Sequence, residues 1–295
     1  MFSVKRSIVG ISKQSGFSKS FISSQISIRS KSSSSSSSTS GNDKYVKKKK
    51  AGMDISKVPL PYIGVMSDFY VPPKLTTCPI TSWPKLITRR IMLFALNTYN
   101  IVKFKREIGV PLEFNAWKDK GIENYVRANK VFAQACSEPQ LKAKASLLRR
   151  KLDHSCGKHL IESLSARSLS FPEDSKLNWE LKSIQNNPKV VLFNIIPDAD
   201  GIACFIQFIL KLKTSQKISI VKNQEVVKEQ ENSVEDYLVY SMNPISKELL
   251  LVGKLFESDH LRGLKPEMDV FDQKLMQRFL KTSSDIYRTD PKQTK

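Results

Sequence analysis

The chain has 295 residues, 40% of them hydrophobic, and sets 48 Lys and Arg against 28 Asp and Glu, a formal net charge of +20. Such an excess favours an anionic partner, either nucleic acid or a negatively charged membrane surface. No apolar run reaches the roughly 18–20 residues of a membrane-crossing helix, so an integral membrane protein is not expected. The four cysteines, Cys78, Cys136, Cys156 and Cys204, lack paired spacing and read as reduced thiols rather than a disulfide framework.

Residues 1–42 contain Lys5, Arg6, Lys13, Lys19, Arg29 and Lys31 but no Asp or Glu, and 18 of the first 40 residues are serine. Apolar residues such as Phe2, Ile8, Ile11, Phe17 and Ile22 are interspersed without forming a compact apolar core. This is the composition of a mitochondrial transit peptide followed by a Ser-rich segment; the alternative is a disordered basic tail of a cytosolic or nuclear protein. Residues 43–83 read as a basic linker, with Lys47–Lys50, and an extended arm rich in proline and aromatics (Pro59, Pro61, Tyr62, Phe69, Tyr70, Pro72, Pro73, Pro79, Trp83).

Pro84 is suited to a first helical turn, and Gly109 and Pro111 to a helix end, so a basic helix is predicted between them. Its middle, Ile91–Leu96, is apolar almost all round and its ends are cationic. It reads as an interfacial helix on anionic lipid or as a buried helix exposing charged ends. Trp117, Ile122, Tyr125, Val126, Val131 and Phe132 recur at helical spacing. Ser137 and Pro139 are expected to open a third helix with the stripe Leu141, Ala145, Leu148 and Leu152, and a fourth runs from Ser155 to about Leu169.

From Lys176 to Glu257 the period changes to two. Leu177–Lys182, Val190–Ile196, Ile202–Leu212, Ile218–Val221, Tyr237–Met242 and Leu249–Phe256 are separated by short turns such as Asn186-Asn187-Pro188 and Asp198-Ala199-Asp200-Gly201. Short turns imply antiparallel pairing, hence one curved sheet of five or six strands. Helices first and strands afterwards signal an α+β domain, with helices packed on one face of a curved antiparallel sheet, over residues 84–258. Residues 259–295 read as a C-terminal helix, from Met268 to about Lys281, and a tail.

Trp83–Ser168 holds 17 basic and 7 acidic residues, whereas the strand block holds ten of each. The positive charge therefore belongs to the helical half, and both phosphate and anionic lipid fit it. Lys85, Arg89, Arg90, Lys103, Lys105 and Arg106 are the candidate membrane-binding residues, and Arg149, Arg150, Lys151 and Lys158 the candidate RNA-binding residues. No RNA-reading motif accompanies them, so contact with the RNA backbone is expected. His154, Cys156 and His159 lack a fourth ligand of recognised spacing, and Asp198 and Asp200 are explained by the turn. No P-loop, dinucleotide fingerprint or nucleophile elbow is present, and no mid-strand inward carboxylate is expected. Together these indicate a non-enzyme without metal, cofactor or small-molecule substrate.

The order of transit peptide, Pro/aromatic arm, Ser82-Trp83-Pro84 opening, helices around Trp117 and Leu141–Leu152, and strand block Trp179–Phe256 resembles the fungal Mba-type inner-membrane mitoribosome receptors. Those are related to mitochondrial large-subunit protein L-forty-five and to the C-terminal domain of the import motor's membrane-anchoring subunit. The resemblance covers roughly Tyr62–Ser258 and rests on order and composition. It implies a cystatin/NTF2-like domain with a hydrophobic concavity, attached peripherally to the matrix side of the inner membrane. The implied partners are the large ribosomal subunit (rRNA and proteins near the tunnel exit), anionic lipid, and the membrane insertase with its nascent membrane proteins. A constitutive ribosomal protein, or an import-motor or assembly factor of the same fold, are the alternatives.

Overall fold

A computed structural model describes residues 55–222, 225–268 and 272–291. The expected transit peptide, the Ser-rich segment and the tetralysine linker lie outside the described residues. Four short 3-10 turns punctuate the arm: Ile55–Lys57, Leu60–Tyr62, Leu75–Thr77 and Ile80–Ser82. Helices α1 (Trp83–Glu107), α2 (Phe114–Cys136), α3 (Leu141–Leu152) and α4 (Lys158–Leu169) follow. Strands β1 (Ser175–Ile184), β2 (Lys189–Pro197), β3 (Ala203–Lys222), β4 (Glu225–Met242) and β5 (Leu249–Leu255) come next, and α5 (Gln273–Ser283) closes the order.

All strand pairs are antiparallel, and β3 is the central strand. On one side it pairs with β2 through Ala203–Lys211 and then with β1 through Thr214–Lys222; on the other it pairs with β4. The fold is therefore α+β with a five-stranded antiparallel sheet. The expected separate runs Ile202–Leu212 and Ile218–Val221 are one strand, because polar residues between them (Thr214, Ser215, Gln216) still alternate faces while bridging two different neighbours.

Period-two alternation explains the packing. Ile206, Phe208, Leu210, Leu238, Tyr240, Leu249 and Leu251 point to one face and meet Trp117, Phe132, Leu148, Leu152, Leu160 and Leu164 of α2, α3 and α4. Phe205, Ile209, Tyr237, Val239, Leu250 and Val252 point to the other and meet Leu60, Ile63, Val65, Tyr70 and Val71 of the arm and Leu93 of α1. Burial on both faces is why the sequence of β3 starts as a nearly unbroken apolar run. Gln207 interrupts that run for a reason. Its amide accepts from Met66 N (3.0 Å) and donates to Gly64 O and Ser241 Oγ (2.8 Å each), so it stands in for a strand partner of the arm.

Three local expectations change. Ser137 closes α2 rather than opening α3: its hydroxyl bonds Ala133 O and both backbone groups of Leu177, fastening the helix end to β1. Leu141, placed in the α3 stripe, is instead exposed. Helix α5 starts at Gln273, because the Asp272 side chain accepts from Lys274 N and Leu275 N, an N-cap arrangement.

Candidate functional site

Helix α1 lies against the edge of β2 and covers it chemically. Asn97 donates to Val191 O (3.0 Å) and accepts from Phe193 N (3.0 Å), and Asn100 donates to Phe193 O (2.9 Å). These two amides replace the missing neighbour strand, a common way to protect a sheet edge. Only Leu86, Leu93, Asn100 and Phe104 of the helix are buried. At 100° per residue they form one narrow stripe. The opposite surface is apolar and open: Ile91 is 63% exposed, Phe94 73%, Tyr99 65%, with Ile87, Met92, Leu96 and Val102 beside them. This exposed stretch is about 22 Å long. A groove of about 490 Å³ lined by Phe94, Ile101, Phe114, Val190 and Phe193, with Lys118 and Lys189, opens beside it.

The six cations assigned to this helix divide into two kinds. Lys85, Lys105 and Arg106 are exposed, near the two ends of the apolar surface. Arg89 instead donates to His260 O (2.5 Å) and Leu261 O (3.1 Å), and Arg90 to Pro73 O (2.6 Å). Lys103 lies 3.3 Å from Gly201 O and 3.7 Å from the Glu107 carboxylate. Those three fasten α1 to the segment after β5, to the arm and to the β2–β3 turn.

A second surface forms where α3 ends and α4 begins. Arg149, Arg150, His154, Lys158, Tyr62 and the acids Asp153 and Glu162 line a cleft of about 600 Å³. Lys158 Nζ is 3.1 Å from the Tyr62 hydroxyl and 4.5 Å from the centre of its ring. The hydrogen bond to that hydroxyl pushes the lysine pKa up, so Lys158 stays cationic. Lys151 points elsewhere and donates to Gln134 Oε1 of α2 at 2.7 Å. Three of the four residues assigned to RNA thus share one cleft, joined by Tyr62 and His154, which charge counting alone did not place there.

The other sequence candidates are drawn apart. Cys156 is fully buried and burial pushes its thiol up to about 12, so it remains protonated. His159 stands 3.8 Å from Glu162. Among the described residues no group of three His, Cys, Asp or Glu is placed to hold a metal ion. Asp198 builds its turn by accepting from Asp200 N and Ile202 N, with Gly201 at φ +83°. One expectation is corrected: β4 does carry an inward carboxylate. Asp236 is 4% exposed, 2.6 Å from Lys254 Nζ, and accepts from the Tyr125 hydroxyl at 2.7 Å. Gln216 donates to that same hydroxyl (2.8 Å) and accepts from Trp179 Nε1 (2.9 Å). Burial pushes the Tyr125 hydroxyl well above its ordinary pKa, so it stays a donor. The carboxylate is committed to a buried ion pair and network linking α2, β1, β3, β4 and β5. Its signal was weak because Asp236 follows Glu235 in a polar stretch.

Among the described residues no helix is long and apolar enough to cross a membrane. A family model described as "MBA1-like protein" matches residues 48–292. The chain is also 27% identical over 237 residues to the "Inner membrane mitoribosome receptor MBA1, mitochondrial" of Saccharomyces cerevisiae, covering 78% of this chain and 80% of the relative.

Proposed function

This chain belongs to the MBA1-like family, and from that premise we propose that it is a peripheral inner-membrane mitoribosome receptor. By its name, the yeast relative is such a receptor. In this reading the chain sits on the matrix side and tethers rather than catalyses. It holds the large subunit, through rRNA and proteins near the tunnel exit, against the insertase during insertion of nascent membrane proteins. The observation that carries it is the pairing of two distinct surfaces on one rigid sheet. One is apolar with cationic ends, the composition of an interfacial helix. The other is a cationic cleft with an aromatic wall, suited to phosphate and an exposed base. Neither contact needs to be strong alone, since each raises the effective concentration of the other partner.

The test separates the two surfaces. Replacing Arg149, Arg150 and Lys158 with Glu should weaken co-sedimentation with mitochondrial large subunits and reduce its salt slope by roughly one for each phosphate no longer neutralised. Flotation of the same variant on cardiolipin-containing vesicles should be unchanged. Ribosome association that survives high salt and ignores these substitutions would instead support a constitutive ribosomal protein.

A further inference from the structure

β4 is 18 residues long, but β5 pairs with it only from Tyr237 to Met242. Among the described residues, the outer edge of β4 from Glu225 to Glu235 therefore has no neighbouring strand. Its register with β3 runs unbroken from Lys228 to Met242, the only irregularity lying at the hairpin tip between Ile220 and Val221. The edge contains no proline and no residue at positive φ. Proline and bulges are common ways to blunt an edge, and from Lys228 to Glu235 this one has neither, so its backbone is open for pairing.

Charge says what fits it. Glu229, Glu231 and Glu235 share one face of this edge, whereas the irregularity at Val227 turns Glu225 to the other. The next column, on β3, is basic: Lys217 Nζ meets Glu229 at 2.5 Å, and Lys211 Nζ meets Glu235 at 2.6 Å. The column beyond, on β1, places Glu180 opposite Lys217. Sign thus alternates from strand to strand, and an added strand completes the series with cations. The other face offers Lys228, Gln230, Asn232 and Val234, which suit hydroxyl or apolar side chains. A second copy of the chain is the wrong occupant. An antiparallel two-fold through Gln230 sets Glu229 against Glu231 and Glu231 against Glu229, and like charges directly opposite are destabilising.

We propose that the Glu225–Glu235 edge of β4 docks an extended segment of another protein whose alternate residues are lysine or arginine, by strand addition. The proposal stands apart from the ribosome reading, since it uses neither α1 nor the basic cleft.

The experiment uses the full chain and two fluorescein-labelled peptides, Lys-Val-Lys-Thr-Lys-Val-Lys-Thr-Lys and its counterpart with Glu at every Lys. Anisotropy measures binding, and amide hydrogen exchange locates it. The Lys peptide should bind and protect the amides of residues 225–235, and the Glu peptide should not bind. E231K, which spares both inter-strand lysine pairs, should weaken the Lys peptide by about fivefold. Binding that leaves exchange at 225–235 unchanged, or that ignores the Glu231 substitution, overturns the proposal. So does concentration-dependent protection of 225–235 without peptide, which would make a second copy the occupant.

Discussion

Glu235 and Asp236 are neighbours on β4 with opposite assignments. Asp236 faces the helices and joins Lys254 and Tyr125. Glu235 faces the other way, where burial alone would raise its pKa, but hydrogen bonds from Lys211 and Lys74 outweigh that and bring it down to about 2. Because its folded pKa lies below the unfolded one, the stability it contributes is complete above the ordinary carboxylate range. It is lost as pH falls toward 2. Urea unfolding between roughly pH 6 and pH 3 should therefore show stability falling with acid, with a shallower fall in Glu235→Gln. An equally steep fall in that variant would show that other carboxylates set the acid limit. Neither partner of Glu235 was legible in the sequence, since Lys74 is brought to it only by the folding of the arm.

At the scale of the element, α1 is where sequence and structure agree on composition and differ on orientation. Its basic ends and apolar middle were plain in the sequence, and both a buried and an interfacial helix were open. Packing leaves a narrow buried stripe and a wide exposed surface that carries Ile87, Ile91, Met92, Phe94, Leu96, Tyr99 and Val102. Cation roles were illegible for a similar reason: Arg89 finds its acceptor 171 residues away. Ile91→Asp with Phe94→Asp should abolish flotation on cardiolipin-containing vesicles with little change in stability, as both sites are exposed. Each lost side chain removes on the order of 1.5–3 kcal/mol of transferable apolar burial. Lys85, Lys105 and Arg106 to Glu should weaken flotation and leave folding intact. Arg89→Glu should lower the unfolding midpoint, because it strands two carbonyls. Flotation unmoved by the aspartates would remove the membrane role of α1.

For the whole molecule, the sheet has two covers. The helical cover was legible from the order of elements and from period-3.6 spacing. The arm's role was only half legible, since prolines and aromatics signal an extended chain without saying what it lies on. In the structure it seals the second face, with Val65 and Val71 wholly buried. A chain shortened to begin at Ile55 should unfold cooperatively, whereas one beginning at Trp83 should expose Ile209, Val239 and Leu250 and lose solubility. Comparable unfolding midpoints for the two would show the arm to be dispensable. The β3–β4 extension was the least legible part. Its β3 side kept the short run Ile218–Val221, but Glu225–Glu235 of β4 is largely exposed on both faces, so burial leaves no period to read there.

The three side chains that fasten α1 reach the arm, the β2–β3 turn and the segment following β5. A load applied along that helix is shared at once by regions far apart in the chain. It therefore behaves as a keel and not as a hinged paddle. Under the proposed receptor role, a partner held at the cleft of Arg149, Arg150 and Lys158 would keep a fixed heading relative to whatever α1 touches.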